Sequence, residues 1–238
     1  MAAIVVLGAR NLGGAILDHF RDLGWQGAAV ARSDSTVAAV RERGAVALKA
    51  DASDLEQLGG ALAQARNELG GLDLVVNAVS AATASGPPFG GGPIADADLS
   101  QFEGWAASVA RQSFVFLSCG IRALRDAGGG GTLVQVTGGS SARAFPGRGL
   151  WAAGAFASRA MVQAAAQEHR EEGIHVALLA VNATIESPKT EAFTRDTPRE
   201  ALASMASVAR TVAFLADQDA RGMTHEIVVT PAGDRWIP

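Results

Sequence analysis

Three glycines near the start of the chain, Gly8, Gly13 and Gly14, stand where an apolar run, Ile4–Leu7, gives way to a helical repeat of Ile16, Leu17, Phe20 and Leu23. Residues without side chains at a strand-to-helix turn let the backbone approach a phosphate. The helix that follows offers the anion free N–H groups and its positive end. Gly24 closes that helix, and a second apolar run, Ala28–Ala31, ends at Arg32. Strand, glycine turn, helix, strand is the unit that holds a dinucleotide pyrophosphate. A plain tight turn has the same pattern, so the rest of the chain must decide between the two.

A second group of reactive side chains lies between residues 140 and 151. Arg143 and Arg148 could bind an anionic group and Trp151 could stack on a ring; a solvated loop with one packing aromatic reads the same way. Of the four histidines, His19 and His169 fall on helical stretches and His175 begins a strand, which leaves His225 nearest the site in sequence. A single cysteine, Cys119, offers neither an intramolecular disulfide nor a metal constellation, which fits a reducing cytoplasm.

These residues must be positioned by strands and helices that alternate along the chain. Strands are predicted at Ile4–Leu7, Ala28–Ala31, Ala45–Leu48, Leu72–Val76, Thr132–Val136, His175–Val181 and Glu226–Thr230. Helices are predicted at Leu12–Leu23, Thr36–Arg43, Asp54–Glu68, Leu99–Asp126, Ala152–Glu172 and Pro198–Ala216. Most strand candidates are continuously apolar, as strands buried on both faces are. The expected architecture is α/β: one Rossmann domain over residues 1–238, a doubly wound, seven-stranded parallel sheet with helices on both faces. With 238 residues, 48% of them apolar, one large core is affordable. Two breaks fall on the edge where such sheets bind ligands: Ser85–Pro93, a connector or a flap, and Thr184–Pro198, a candidate substrate lid. The net charge of −4 without a basic cluster argues against nucleic acid, and no apolar run is long enough to span a bilayer. The start of the chain does not read as a signal peptide.

Taken together, the chain resembles the short-chain dehydrogenase/reductase family over nearly its whole length. Gly8 and Gly14 match the first and last glycines of that family's Gly-x-x-x-Gly-x-Gly motif; Leu12 stands at the middle one, with Gly13 a place late. Lys49-Ala50-Asp51-Ala52-Ser53-Asp54 resembles the segment whose aspartate holds the adenine amino group, which gives Asp51 that role. Val76-Asn77-Ala78-Val79 resembles the Asn-Ala-Gly motif, with Val79 for its glycine. The resemblance implies a cofactor contacted by Gly8, Arg10, Asn11, Leu12, Gly14, Arg32, Asp51, Ala52, Asn77, Ala78, Thr137, Arg159 and Ile185. Where an NAD-selective member carries a carboxylate after the second strand, this chain has Ala31 and then Arg32, with Arg10 in the glycine turn. Two guanidinium groups favour the 2′-phosphate, hence NADP(H) over NAD(H).

The catalytic set departs from the family. Ala155-Phe156-Ala157-Ser158-Arg159-Ala160 aligns with Tyr-x-Ala-Ser-Lys-Ala, so Ala155 stands for the tyrosine and Arg159 for the lysine; the chain has no tyrosine at all. The family serine aligns with Gly138 and the helix asparagine with Arg111. Reduction of a carbonyl builds an alkoxide that must be protonated, and neither alanine nor an always-charged arginine can supply that proton. Ser140 and Arg159 are the remaining catalytic candidates, Arg159 also as a contact to the cofactor ribose. Three functions stay open: a divergent reductase of a small molecule with another proton source or a substrate that arrives protonated; a non-catalytic NADP(H)-binding sensor or partner subunit; and another reaction, isomerisation or dehydration. The expected partners are a small substrate and a second or further copies of the chain, as a homodimer or homotetramer through the apolar stretches Phe114–Leu117 and Met161–Ala166.

Overall fold

The computed structural model describes residues 1–79 and 88–234. Seven strands, β1 (Ala3–Leu7), β2 (Gln26–Ala31), β3 (Val46–Lys49), β4 (Leu74–Asn77), β5 (Gly131–Gly138), β6 (Ile174–Val181) and β7 (Glu226–Val229), form one sheet in the order 3-2-1-4-5-6-7. Every pairing is parallel. Each strand lies within a residue or two of its predicted span. The order reverses between β1 and β4, and the crevice beyond the carboxyl ends of those strands is where such sheets bind ligands.

The all-apolar strands are explained by burial on both sides. In β1, Val5 and Leu7 face a core built with Leu58, Leu62, Phe116 and Leu124. Ile4 and Val6 face the opposite one, with Ile16, Leu17, Phe20 and Val212. Alternate side chains of a strand point to opposite faces, so both sets must be apolar. The first core is covered by α3 (Leu55–Leu69), α5 (Ser108–Asp126) and α6 (Gly149–His169), the second by α1 (Leu12–Asp22) and α8 (Met205–Ala216). The remaining helices are α2 (Asp34–Glu42) and two single turns, α4 (Leu99–Phe102) and α7 (Glu191–Thr194).

Local chemistry sets the helix ends. Asp54 caps α3 by accepting the Glu56 and Gln57 N–H groups (3.0 and 2.9 Å), and Gly70, at φ +72°, ends it. The helix predicted at Leu99–Asp126 is present but runs α4, a π turn at Glu103–Ala107, then α5. The predicted helix Pro198–Ala216 is shorter: only a 3₁₀ turn forms at Arg199–Ala201, and α8 starts at Met205, where Ser204 caps it. Of the break at Ser85–Pro93, residues 85–87 lie outside the described residues. No helix among the described residues is long and apolar enough to cross a membrane.

Candidate functional site

The glycine turn is shaped by three close approaches. Gly8 follows β1 at φ +83°, and a Cβ there would lie 2.9 Å from Val79 Cγ2. A Cβ on Gly13 would run into the Gly8 carbonyl and sit 3.0 Å from Val6 Cγ1; one on Gly14 would lie 2.7 Å from the Ala9 carbonyl. Gly13 is therefore not a displaced spare. It and Gly14 together let α1 press against the end of β1. Leu12, where the family has its middle glycine, is turned into the core at 8% exposure. Asn11 begins α1 without capping it through its side chain, and no acidic side chain sits in the first turn. The N–H groups and positive helix end thus keep the character of an anion cradle.

Around the ends of β2 and β3 the charges interlock. Arg32 Nη1 lies 3.7 Å from Asp51 Oδ2, and Lys49 Nζ lies 2.6 Å from Asp34 Oδ1. Asp51 Oδ1 accepts the Ser53 N–H (2.9 Å) and hydroxyl (2.7 Å). Partial burial pushes the Asp51 carboxyl up, but the Ser53 bonds and the Arg32 charge outweigh it and hold the group below the ordinary aspartate range. Arg32 and Asp51, expected to play separate roles, therefore form a pair on one rim, with Ala52 next to them packed on the core. Arg10 is exposed in the glycine turn.

Below the crevice runs a buried amide chain that sequence reasoning missed. Asn77, fully buried, donates through Nδ2 to Gln135 Oε1 (2.9 Å), and its Oδ1 accepts from Gln112 Nε2 (3.2 Å) and the Val79 N–H (3.2 Å). The Ala78 N–H donates to the Leu7 carbonyl (3.0 Å). Asn77 thus fixes the turn whose Val79 abuts Gly8, so its part is to hold the cradle wall. Arg111, the aligned helix position, is exposed, while Gln112 beside it points inward. The signal was available: Gln112 is one turn before buried Phe116 on the same helix face.

The catalytic side is built on α6. Trp151, Ala155 and Arg159 are spaced four apart and share a face. Ala155 is fully buried. Arg159 grips Glu226 at the start of β7 with both arms, Nε to Oε2 at 3.0 Å and Nη2 to Oε1 at 2.9 Å, and its Nη1 reaches the Ser141 carbonyl at 3.5 Å. Nothing in the sequence flagged Glu226, because the pair joins positions 67 residues apart. Near the end of β5, Thr137 pairs with Ala180; beyond it, Gly139 lies directly on the Asn182 carboxamide, and Ser140 is half-buried in a 3₁₀ turn whose Ser141 hydroxyl bonds back to the Gly138 carbonyl (2.9 Å). Ile185 bridges to Ala203 at the base of the segment after β6. His225 is removed from candidacy: it precedes β7 at the opposite edge of the sheet, donating from Nδ1 to the Val176 carbonyl (2.9 Å) and touching His175.

Over the start of α6 lies a strap, Pro88–Gly92, that carries Phe89 onto Trp105 of the π turn and Trp151, so the latter is part of an aromatic cluster rather than of a solvated loop.

The family model described as enoyl-(acyl carrier protein) reductase matches residues 6–233. The chain belongs to the short-chain dehydrogenase/reductase family. Solved structures of the same fold include ElxO with NADP bound (16% identical, TM-score 0.82, 97% of this chain and 96% of that one). Sorbitol-6-phosphate 2-dehydrogenase SrlD from Erwinia amylovora is 19% identical, with a TM-score of 0.82 over 98% and 100%. A variant of actinorhodin polyketide ketoreductase with NADPH is 17% identical, with a TM-score of 0.77 over 99% and 98%. No curated protein matches the chain in sequence.

Proposed function

We propose that this protein is an NADP(H)-dependent reductase whose substrate draws no proton from a tyrosine. The observation that carries the reading is the glycine cradle: Gly8, Gly13 and Gly14 are crowded so closely that any side chain would collide, at the foot of a helix that Asn11 leaves uncapped through its side chain. The pyrophosphate of a dinucleotide fits that cradle, with Thr137, Ala78 and Ile185 lining the crevice beyond. Arg32 and Arg10 suit a 2′-phosphate, and the structures of ElxO and of the ketoreductase were solved with NADP and NADPH. The nicotinamide, when bound, supplies a hydride.

What the chain's residues do there is narrower than in the family. Asn77, held by Gln112 and Gln135, keeps the crevice wall against Gly8. Ser140 can donate a hydrogen bond to a substrate. Arg159 is anchored to Glu226 and holds the turn at Ser141. Ala155 itself has no proton to give. A substrate that arrives protonated fits this site, since hydride addition to an iminium carbon moves the π pair onto nitrogen and requires no further proton. The test is calorimetric titration with NADPH and NADH, followed by turnover of a cyclic iminium and of a ketone of the same shape. NADPH binding with iminium reduced well ahead of ketone is expected; failure to bind either nucleotide overturns the reading. The second reading, a nucleotide-binding sensor or partner subunit, is favoured by the buried Ala155, and would appear as NADPH binding with no turnover of either substrate.

The assembly we propose is a homodimer or homotetramer through the face of α5 and α6, where Phe114 and Phe156 are 51% and 42% exposed. Light scattering at micromolar concentration tests it, and a monomer mass contradicts it. The proposed compartment is the cytoplasm, in keeping with the one buried, unpaired Cys119.

A further inference from the structure

The aromatic cluster over α6 has an unusual distribution of burial. Trp105 is 4% exposed, yet its indole Nε1 is buried without a hydrogen-bond partner among the described residues. An unmatched buried donor costs about 1–3 kcal/mol, and a buried indole N–H usually finds an acceptor. Phe89, the ring that closes the cluster, is by contrast half in solvent, 53% exposed. Its centroid lies 4.9 Å from Trp105 and 5.4 Å from Trp151, the two indoles are 6.0 Å apart, and the Arg148 guanidinium carbon stands 5.3 Å over its face.

The strap behind Phe89 is equally particular. Gly90, Gly91 and Gly92 have φ of +85°, +90° and +76°, a succession that residues with side chains rarely adopt. Cβ atoms on Gly90 and Gly91 would press on Arg148 and Leu150. The two indoles sit on helical turns of the fold, Trp105 in the π turn and Trp151 in α6, while the ring between them hangs from a run of three glycines at positive φ.

We propose that Trp105 and Trp151 form the binding site of a planar aromatic ring bearing a hydrogen-bond acceptor, in which the Phe89 ring stands where the ligand's ring lies. The ligand displaces Phe89, packs edge-to-face on Trp105 and tilted against Trp151 as that ring does, and accepts the Trp105 Nε1 hydrogen. Arg148 over the ring face selects a neutral or anionic ring and disfavours a positive charge on the ring itself. Trp151 is one helical turn, about 6 Å of axis, from Ala155, so on the reductase reading this ring is the recognition part of the substrate, with the reducible carbon toward Ala155.

The probes are quinoline, which has a ring nitrogen acceptor, and naphthalene, which has the same shape without one, both at pH 8. The signal followed is the indole N–H resonance of Trp105 in isotope-labelled protein, assigned by its loss in Trp105→Phe. Quinoline is expected to move that resonance downfield and naphthalene to leave its hydrogen bonding unchanged. Phe89→Ala is expected to tighten quinoline by about tenfold or more, as when a binding-competent state ceases to be the minor one. An unmoved Trp105 signal in the wild-type protein overturns the proposal without any variant, and so does equal quinoline affinity in folded wild-type and Phe89→Ala proteins. A parallel NADPH titration separates the two readings: its failure removes the reductase reading and leaves the quinoline result standing, while NADPH binding without any effect of quinoline removes only the ring site.

Discussion

The two halves of the sheet, β1 to β4 with the glycine turn and β5 to β7 with α6, are shaped by different parts of the chain. In the first half the backbone shapes the turn. The motif tolerates Leu12 in place of a glycine because Gly13 and Gly14 still let α1 meet Gly8 and Ala9, and the N–H groups at the helix start do not depend on side-chain identity. In the second half the chemistry is done by side chains. Ala155 carries no acidic group, and Arg159 on the same face of α6 is held in an ion pair with Glu226. A function carried by backbone geometry survives substitution; one carried by a single functional group does not.

The sharpest way to break this contrast is to fill the cradle. Gly13→Val places methyl groups against the Gly8 carbonyl and Val6, so we expect a stability loss of about 1–3 kcal/mol in urea unfolding and NADPH binding too weak for calorimetry. Unchanged binding would show that the cradle is not where the nucleotide lies. The next largest effect should come from restoring the missing group. Ala155→Tyr with Arg159→Lys should raise ketone reduction by about 10²–10⁴-fold, the usual contribution of a general acid, measured as NADPH consumption. Because Ala155 is fully buried, the ring must displace neighbours, and thermal unfolding of the double variant measures that cost. A wild-type protein that already reduces ketones briskly would point to another donor, with Ser140 the first substitution.

A smaller effect concerns the rim. Arg32→Ala should weaken NADPH by about tenfold, the size of a charge-assisted hydrogen bond, and leave NADH unchanged. Equal losses for both nucleotides would mean that Arg32 acts only through its pair with Asp51. The smallest effect lies at the far edge of the sheet. His175 is buried between the Leu215 and Thr224 carbonyls, 3.1 and 3.0 Å from its ring nitrogens. Burial, against the pull of those carbonyls and with the neighbouring His225 adding to it, pushes its pKa below the ordinary 6.5. Below that value the unfolded chain binds the proton more readily than the folded one, so stability should fall as pH drops through 6.5. His175→Gln should flatten the profile of chemical denaturation against pH. A wild-type stability that rises on acidification through that range would reverse the sign assigned to His175.

The sequence by itself determined the order and extent of the seven strands, because burial on both faces demands continuous apolar runs that glycine and polar turns interrupt. It also showed that the chain contains no phenol side chain, since it has no tyrosine. Tertiary structure decided what depends on distance through space. It turned Gln112 rather than Arg111 toward Asn77, tied Arg159 to Glu226, moved His225 to the edge away from the crevice, and gathered Phe89, Trp105 and Trp151 into one cluster. Periodicity records which face of an element is apolar. It does not record which polar side chains from different elements meet, because those meetings are set by how the packed layers register against one another.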